Sequence, residues 1–233
     1  MSEGQALPDT SHDSLVAQLQ AILGADHVIT DEAERAYYSQ DVYNQGPTVL
    51  AVIQPDTKEK LSKAIAAITG AGVAVYPRGG GFSYTDGYIP TTSNGVTVDT
   101  REMNRILEIN TEDMYITVES GCTWATIEGA LKDKGVRPVF WGPFSGLNAT
   151  VGGSMSQGSV TYGSSKHGPS GVAAEGMEIV TADGSIVTTG SAGQPGHSPF
   201  FRHYGPDLTG LFCNDAGALG IKAAVTLRLQ RRL

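Results

Sequence analysis

The amino-acid sequence predicts an α+β fold made of two α/β lobes that divide near residue 105. Three observations carry this expectation. A strand-type run at 48–53 (TVLAVI) is followed by a helical stretch and a second short run at 73–76 (VAVY), the order of a βαβ unit with parallel strands. Asp183-Gly184 lies between two β-type runs, 178–182 (EIVTA) and 185–189 (SIVTT), which is a strong hairpin signal. Near the end, Ile221, Ala223, Val225, Leu227 and Leu229 alternate with Lys222, Ala224, Thr226, Arg228 and Gln230, the pattern of a half-buried strand.

Taken in order, residues 1–40 form an N-terminal helical segment. Positions 1–12 are polar and read as loose. Leu15, Leu19, Ile22 and Leu23 then recur at helical spacing, with Ser11 or Asp13 as cap and Gly24 as stop. Residues 41–105 hold the first lobe. Its helix is expected to be capped by Asp56, with Glu59 three residues on, a stripe of Leu61, Ile65 and Ile68, and an end at Gly70 or Gly72. The run 95–99 (GVTVD) adds a third strand. Residues 106–233 hold the second lobe. Strands are expected at 106–110 and 115–119, and Trp124, Ile127 and Leu131 line one face of a helix that ends by Gly135.

Composition narrows the function classes. A chain of 233 residues with 40% hydrophobic and 17% charged residues can bury a real core and is not of the disordered type. A net charge of −8 disfavours nonspecific binding to nucleic acid or to anionic lipid. No run approaches the length of a membrane span, and Met1-Ser2-Glu3-Gly4-Gln5 has no secretory character, so a reducing cytoplasm is the expected compartment. Cys122 and Cys213 are isolated, without a CxxC pair, and read as buried structural thiols. No zinc or other metal site is expected; His197 and His203 lie in a polar loop without ligand spacing.

Glycine is the outlier: 30 residues, roughly twice the usual share, and clustered. The first cluster, Arg78-Gly79-Gly80-Gly81-Phe82-Ser83, follows directly on a strand. Consecutive glycines let backbone N–H groups turn the same way and form a concave nest for an anion, with Arg78 adding charge and Ser83 a hydroxyl. It is neither a Walker loop nor a G-x-G-x-x-G fingerprint. The second cluster spans 142–171, rich in Gly, Ser, Thr and Asn, with a single Lys and no acid, the composition of a polar loop against a large ligand. The third comprises 207–212 (DLTGLF) and 217–221 (GALGI).

Five segments in this order, PRGGGFS at 77–83, VESG at 118–121, ATVGG at 149–153, GMEIVTADGSIVTTG at 176–190, and YGPDLTGLF with GALGIKAAVTLRL at 204–229, resemble one family. It is the FAD-binding domain of the vanillyl-alcohol oxidase and p-cresol methylhydroxylase superfamily, which includes flavin-type D-lactate and glycolate dehydrogenases. The resemblance implies two α/β subdomains of the p-cresol methylhydroxylase (PCMH) type, here without the C-terminal cap domain. It implies that Arg78, Gly79, Gly80, Gly81, Phe82 and Ser83 grip the FAD diphosphate. Thr150, Val151, Gly152, Gly153, Gly158 and Ser159 would line the flavin and its ribityl chain, and Gly220 and Ile221 would lie near the adenine or ring system. Some members attach the flavin through a histidine in the first loop; Phe82 stands there, so noncovalent FAD is expected.

The resemblance further implies an oxidoreductase that takes a hydride from an alcohol-type C–H, first a D-2-hydroxy acid, with a phenolic or other alcohol, or a non-catalytic flavin-binding assembly subunit, as alternatives. Tyr84, Tyr162 and His167 are the candidate catalytic side chains of this half. His167 stands where many members have Tyr, and an imidazole there could titrate near neutral pH. Family members continue into a cap domain that carries most of the substrate pocket. The expectation is therefore a chain that is either one subunit of a split enzyme or a truncation, with a partner subunit favoured.

Overall fold

The computed structural model describes residues 10–232. The expectation for the first nine positions lies outside them. Helix α1 (Thr10–Leu23) buries Leu15, Leu19 and Leu23; Ser11 and Asp13 fall inside it rather than at its cap. Strand β1 (Val28–Ile29) and helix α2 (Glu32–Tyr38) follow. Both are additions to the sequence reading. The Asp31 side chain caps α2 by accepting from the Glu34 N–H at 3.0 Å, so the Asp31-x-x-Glu34 spacing was a legible helix start.

Strand β2 (Ala51–Ile53) is fully buried and leads to α3 (Lys58–Gly70). The α3 cap is Thr57, whose hydroxyl accepts from the Lys60 N–H at 3.3 Å, and not the expected Asp56. Asp56 instead accepts from Lys60 Nζ at 2.8 Å, one turn along the same helix, and that bond holds its carboxyl below the usual range. Strands β3 (Ala74–Arg78) and β4 (Gly95–Asp99) complete the first sheet, in the order β1-β2-β4-β3. β2 and β3 both run parallel to β4, which lies between them. The strand–helix–strand unit thus leaves room for one more strand.

The second sheet contains β5 (Ile106–Asn110), β6 (Tyr115–Glu119), β7 (Val136–Pro138), β8 (Ala174–Val180), β9 (Ile186–Thr188) and β10 (Ile221–Arg231). Its order is β5-β6-β10-β8-β9, all antiparallel, with β7 beside the far end of β10. Asp183-Gly184 turns β8 into β9, pairing Val180 with Ile186. Helix α4 (Trp124–Leu131) covers one face, with Thr123 as its cap.

β10 departs from the half-buried expectation. It is buried on both faces from Ile221 to Leu227, because β6 and β8 flank it and helix α5 (Val151–Gln157) packs across it. α5 is itself a correction to the 142–171 segment read as loop. Glycine disfavours helix, yet Val151 and Met155, four apart, are both fully buried and anchor it to the core. The Thr150 hydroxyl caps it through the Gly153 N–H, and Gly152 lets it lie directly on Ser120.

Two apolar clusters build the core. One joins β6, α4, α5 and β10. The other joins α1, α3 and the first sheet, and takes in Val180, Ile221 and Ala223 from the second sheet. The lobes therefore share buried surface. α3 adds polar ties to the second lobe. Lys58 meets Glu178 at 2.6 Å, and the Ser62 and Thr69 hydroxyls donate to Gly184 and Ala182 carbonyls, each at 2.6 Å. Leu61, fully buried on α3, is expected to lose about 2–5 kcal/mol on Leu61→Ala. Urea unfolding checks this; a loss below 1 kcal/mol would mean that α3 is not seated against both lobes.

Candidate functional site: a glycine-walled cavity between the lobes

A cavity of about 480 Å³ opens between the lobes, with walls drawn from residues 77–88, 143–160 and 216–222. Arg78, Gly79, Gly80, Gly81, Phe82, Ser83, Thr150, Gly152, Gly153, Gly158, Ser159, Gly220 and Ile221 all line it. Of the fourteen expected binding residues only Val151 does not; its side chain is fully buried in the core, anchoring α5. Tyr84 reaches the rim. Tyr162 and His167 do not line the cavity. Tyr162 is exposed and packs edge-on against Phe144, a lining residue, at 5.1 Å between ring centres. His167 ends the short helix α6 (Ser164–His167).

The first glycine loop is shaped by close approach. A Cβ on Gly79 would collide with the Thr150 hydroxyl, and one on Gly80 with the Asn148 carbonyl. Gly80 itself has no positive φ, in contrast to the strain argument its triplet invites; Gly81 has it, at 74°. None of the N–H groups from Gly79 to Ser83 finds an acceptor among the described residues. Five donors in one short loop beside a cavity form a nest with room for an anion.

Arg78 lies behind this nest. Its guanidinium donates to the Tyr38 and Gln40 carbonyls at 3.2 and 2.8 Å. It lies over the Tyr88 ring at 4.6 Å, and Gly81 curls over it so closely that a Cβ would come within 2.6 Å of Nη2. Nη1 is thus tied to the end of α2, while Nη2 and Nε have no hydrogen-bond partner among the described residues. A polar clasp closes one side of the mouth. Ser83 Oγ bonds Thr85 Oγ1, which donates to Gln157 Oε1, both at 2.9 Å.

Sequence reasoning left several lining residues unassigned. Tyr88, Thr85 and Gln157 carry no motif. Phe144 was hidden in a glycine-rich run. Ser120 lay inside the VESG segment without a role; its hydroxyl is buried and has no hydrogen-bond partner. Lys222 was read as the solvent side of an alternating strand. Among the described residues no aspartate, glutamate, histidine or cysteine lines the cavity. Among the described residues no cluster of such side chains is suited to a metal ion, and no helix is long and apolar enough to cross a membrane. Burial pushes the Cys122 thiol up to about 11 and raises that of half-buried Cys213 as well, so neither is poised as a nucleophile.

Comparison with known proteins gives this geometry a lineage. The chain is 28% identical over 228 residues to the uncharacterized FAD-linked oxidoreductase YgcU of Escherichia coli (strain K12), covering 94% of this chain and 46% of that protein. It is 30% identical over 215 residues to glycolate oxidase subunit GlcD of Bacillus subtilis (strain 168), covering 91% and 44%. The chain thus spans less than half the length of these curated relatives. Among solved structures, p-cresol methylhydroxylase with substrate bound superposes with a TM-score of 0.82 at 23% identity, covering 97% of this chain and 45% of that one. Alkyldihydroxyacetonephosphate synthase superposes with a TM-score of 0.79 at 20% identity, covering 94% and 40%. These likenesses establish the PCMH-type fold. A family model described as FAD binding domain matches residues 49–190, well over half of the chain, and the chain belongs to that FAD-binding domain family.

Proposed function

We propose that the chain holds FAD noncovalently in the inter-lobe cavity and serves as the flavin-bearing half of an oxidoreductase that takes a hydride from an alcohol-type C–H. The observation that carries this reading is the five unused N–H donors of Gly79 to Ser83, in a cavity that no carboxylate lines. A dinucleotide diphosphate is the anion that such a nest accepts without a metal. The unpartnered Ser120 hydroxyl adds a buried donor. The glycines of α5 and the apolar faces of Phe82, Phe144, Val160 and Ile221 suit a broad, flat ring system. The residues present therefore fit FAD. Bound FAD would supply the hydride acceptor; the protein supplies binding, orientation and electrostatics. Phe82 offers no atom for attachment, and no histidine lines the cavity, which supports the noncovalent mode.

The relatives named for glycolate oxidase and for D-lactate dehydrogenase support a D-2-hydroxy acid as the first substrate class. The cavity itself offers no carboxylate or imidazole to receive the hydroxyl proton. Aromatic side chains stand exposed at its rim, Phe144 at 78% and Tyr84 at 68%. Both features support a further domain that covers the mouth and brings the proton acceptor, and the relative named as a glycolate oxidase subunit supports placing it on a partner.

Acid precipitation of the flavin-loaded chain should leave all of the flavin in the supernatant; a yellow pellet overturns the noncovalent mode. Gly80→Val should lower FAD affinity by about five- to a hundredfold, since overpacking against Asn148 costs about 1–3 kcal/mol. Titration with FAD by flavin fluorescence measures it, and unchanged affinity would reduce the loop to an ordinary turn. The chain alone should not turn over. Positioning supplies up to about 7–11 kcal/mol in favourable systems, and here substrate has neither a second wall nor a base. Anaerobic bleaching of the flavin by D-lactate, glycolate or a phenolic alcohol is expected only when the partner is added. Rapid bleaching of the isolated chain would show that the site is complete without it.

A further inference from the structure

Lys222 is among the most deeply buried charges of the molecule. Its side chain is 2% exposed, and its ammonium is paired with Asp215, whose side chain is 3% exposed. Lys222 also lines the cavity. A β-bulge brings it there. On β10, Lys222 pairs with Ile179 and Ala224 with the adjacent Glu178, so Ala223 is an extra residue in the ladder. Bulges re-aim side chains and gather beside functional sites.

The local hydrogen bonding is incomplete in one direction. An ammonium has three donors, and only Asp215 Oδ1 receives one. That oxygen also accepts from the Gly217 N–H at 2.9 Å, while Asp215 Oδ2 is buried without a partner. Burial without full hydrogen bonding is costly for an ammonium, and it pushes Lys222 below the usual lysine range, with Asp215 opposing. The turn that carries Asp215 rests on the glycine loop: Gly217 packs so tightly against Pro77 that a Cβ would lie 2.6 Å from its Cγ. Arg78, the other cation on the lining, has Nη1 committed to the Tyr38 and Gln40 carbonyls and its plane stacked over Tyr88.

We propose that Lys222 is a direct ligand of the dinucleotide diphosphate, using the two donors that Asp215 leaves free, with Asp215 as the buried counter-ion that positions it. This rests on the reading of the cavity as an FAD site. Lys222 then completes from the β10 side what the nest begins from the β3 side. The nest supplies neutral donors and the lysine supplies the charge.

The test compares the wild-type chain with Asp215→Asn and with the double variant Asp215→Asn/Lys222→Met, which removes both charges and leaves neither buried alone. Circular dichroism checks the fold, and calorimetric titration gives the affinities for FAD, ADP and riboflavin. Asp215→Asn, which keeps the ammonium and removes only its counter-ion, is the reference for the loss of the lysine itself. The double variant should lose about ten- to a hundredfold for both, the range for a hydrogen bond to a charged group, with riboflavin unaffected. A double variant that binds FAD and ADP like Asp215→Asn, or that loses riboflavin equally, overturns the proposal. A second measurement needs no variant: the Lys222 ¹⁵Nζ resonance of the wild-type chain should shift on adding ADP and not on adding riboflavin. The absence of a shift with bound ADP also overturns it. Failure of the wild-type chain to bind either FAD or ADP would instead sink the FAD reading itself.

Discussion

The molecule is organised around one close approach of bare glycine backbone to the second lobe. Gly79 lies against the Thr150 side chain and Gly80 against the Asn148 carbonyl, at the entry to a helix on the second sheet, and neither position has room for a Cβ. The same contact leaves the loop's N–H groups facing away from any protein acceptor. Joining the lobes and forming the anion nest are therefore one structural event. Backbone donors shut away from water are ordinarily paired; these five, on half-buried to exposed residues beside a cavity, are open to water or a ligand.

Around this seam the charges are sorted. The connection between the sheets is pinned at both ends by buried acids. Asp99 takes bonds from Tyr38, Gln54 and Arg101, and Glu119 takes three from Arg105. Both arginines are held above their ordinary values by these carboxylates. Each acid is spent locally on its arginine, and none is left on the cavity lining. A chain with net charge −8 thus keeps an acid-free pocket by pairing its nearest buried carboxylates.

Much of this was legible in the sequence, and the misses share a cause. Long periodic elements such as α3 and β6 stand out because burial imposes a period on them. The Asp183-Gly184 hairpin stands out because its turn needs particular residues. By contrast, α5 carries two glycines in seven residues and is helical through tertiary packing at Val151 and Met155, which no local propensity reveals. The alternation in β10 was real, but alternation reports polarity and not exposure. Lys222 and Thr226 are buried with partners that alternation does not reveal, Asp215 in the preceding turn and Thr117 across the sheet. The choice of Thr57 over Asp56 as cap turned on one residue of register, which spacing alone does not resolve. The glycine loop was identified as a loop for ligand approach, yet the reason Gly80 must be glycine lies in Asn148, which no motif links to it.

The same distinction separates what this half of the site can do from what it cannot. Holding a cofactor needs donors, space and a flat wall, all of which backbone and small side chains provide, and these are the residues clustered here. Moving a proton needs a titratable side chain at the reacting atom. Of the side chains singled out for that role only Tyr84 lines the cavity; Tyr162 packs on Phe144, and His167 ends a short helix away from the lining. The titratable groups that do reach the cavity, Arg78, Lys222, Tyr84 and Tyr88, are cations or phenols. Burial raises the Tyr88 phenol further above neutrality. Such a set attracts an anion, and among the described residues no carboxylate or imidazole stands on the lining. The lining has the chemistry of a binding surface.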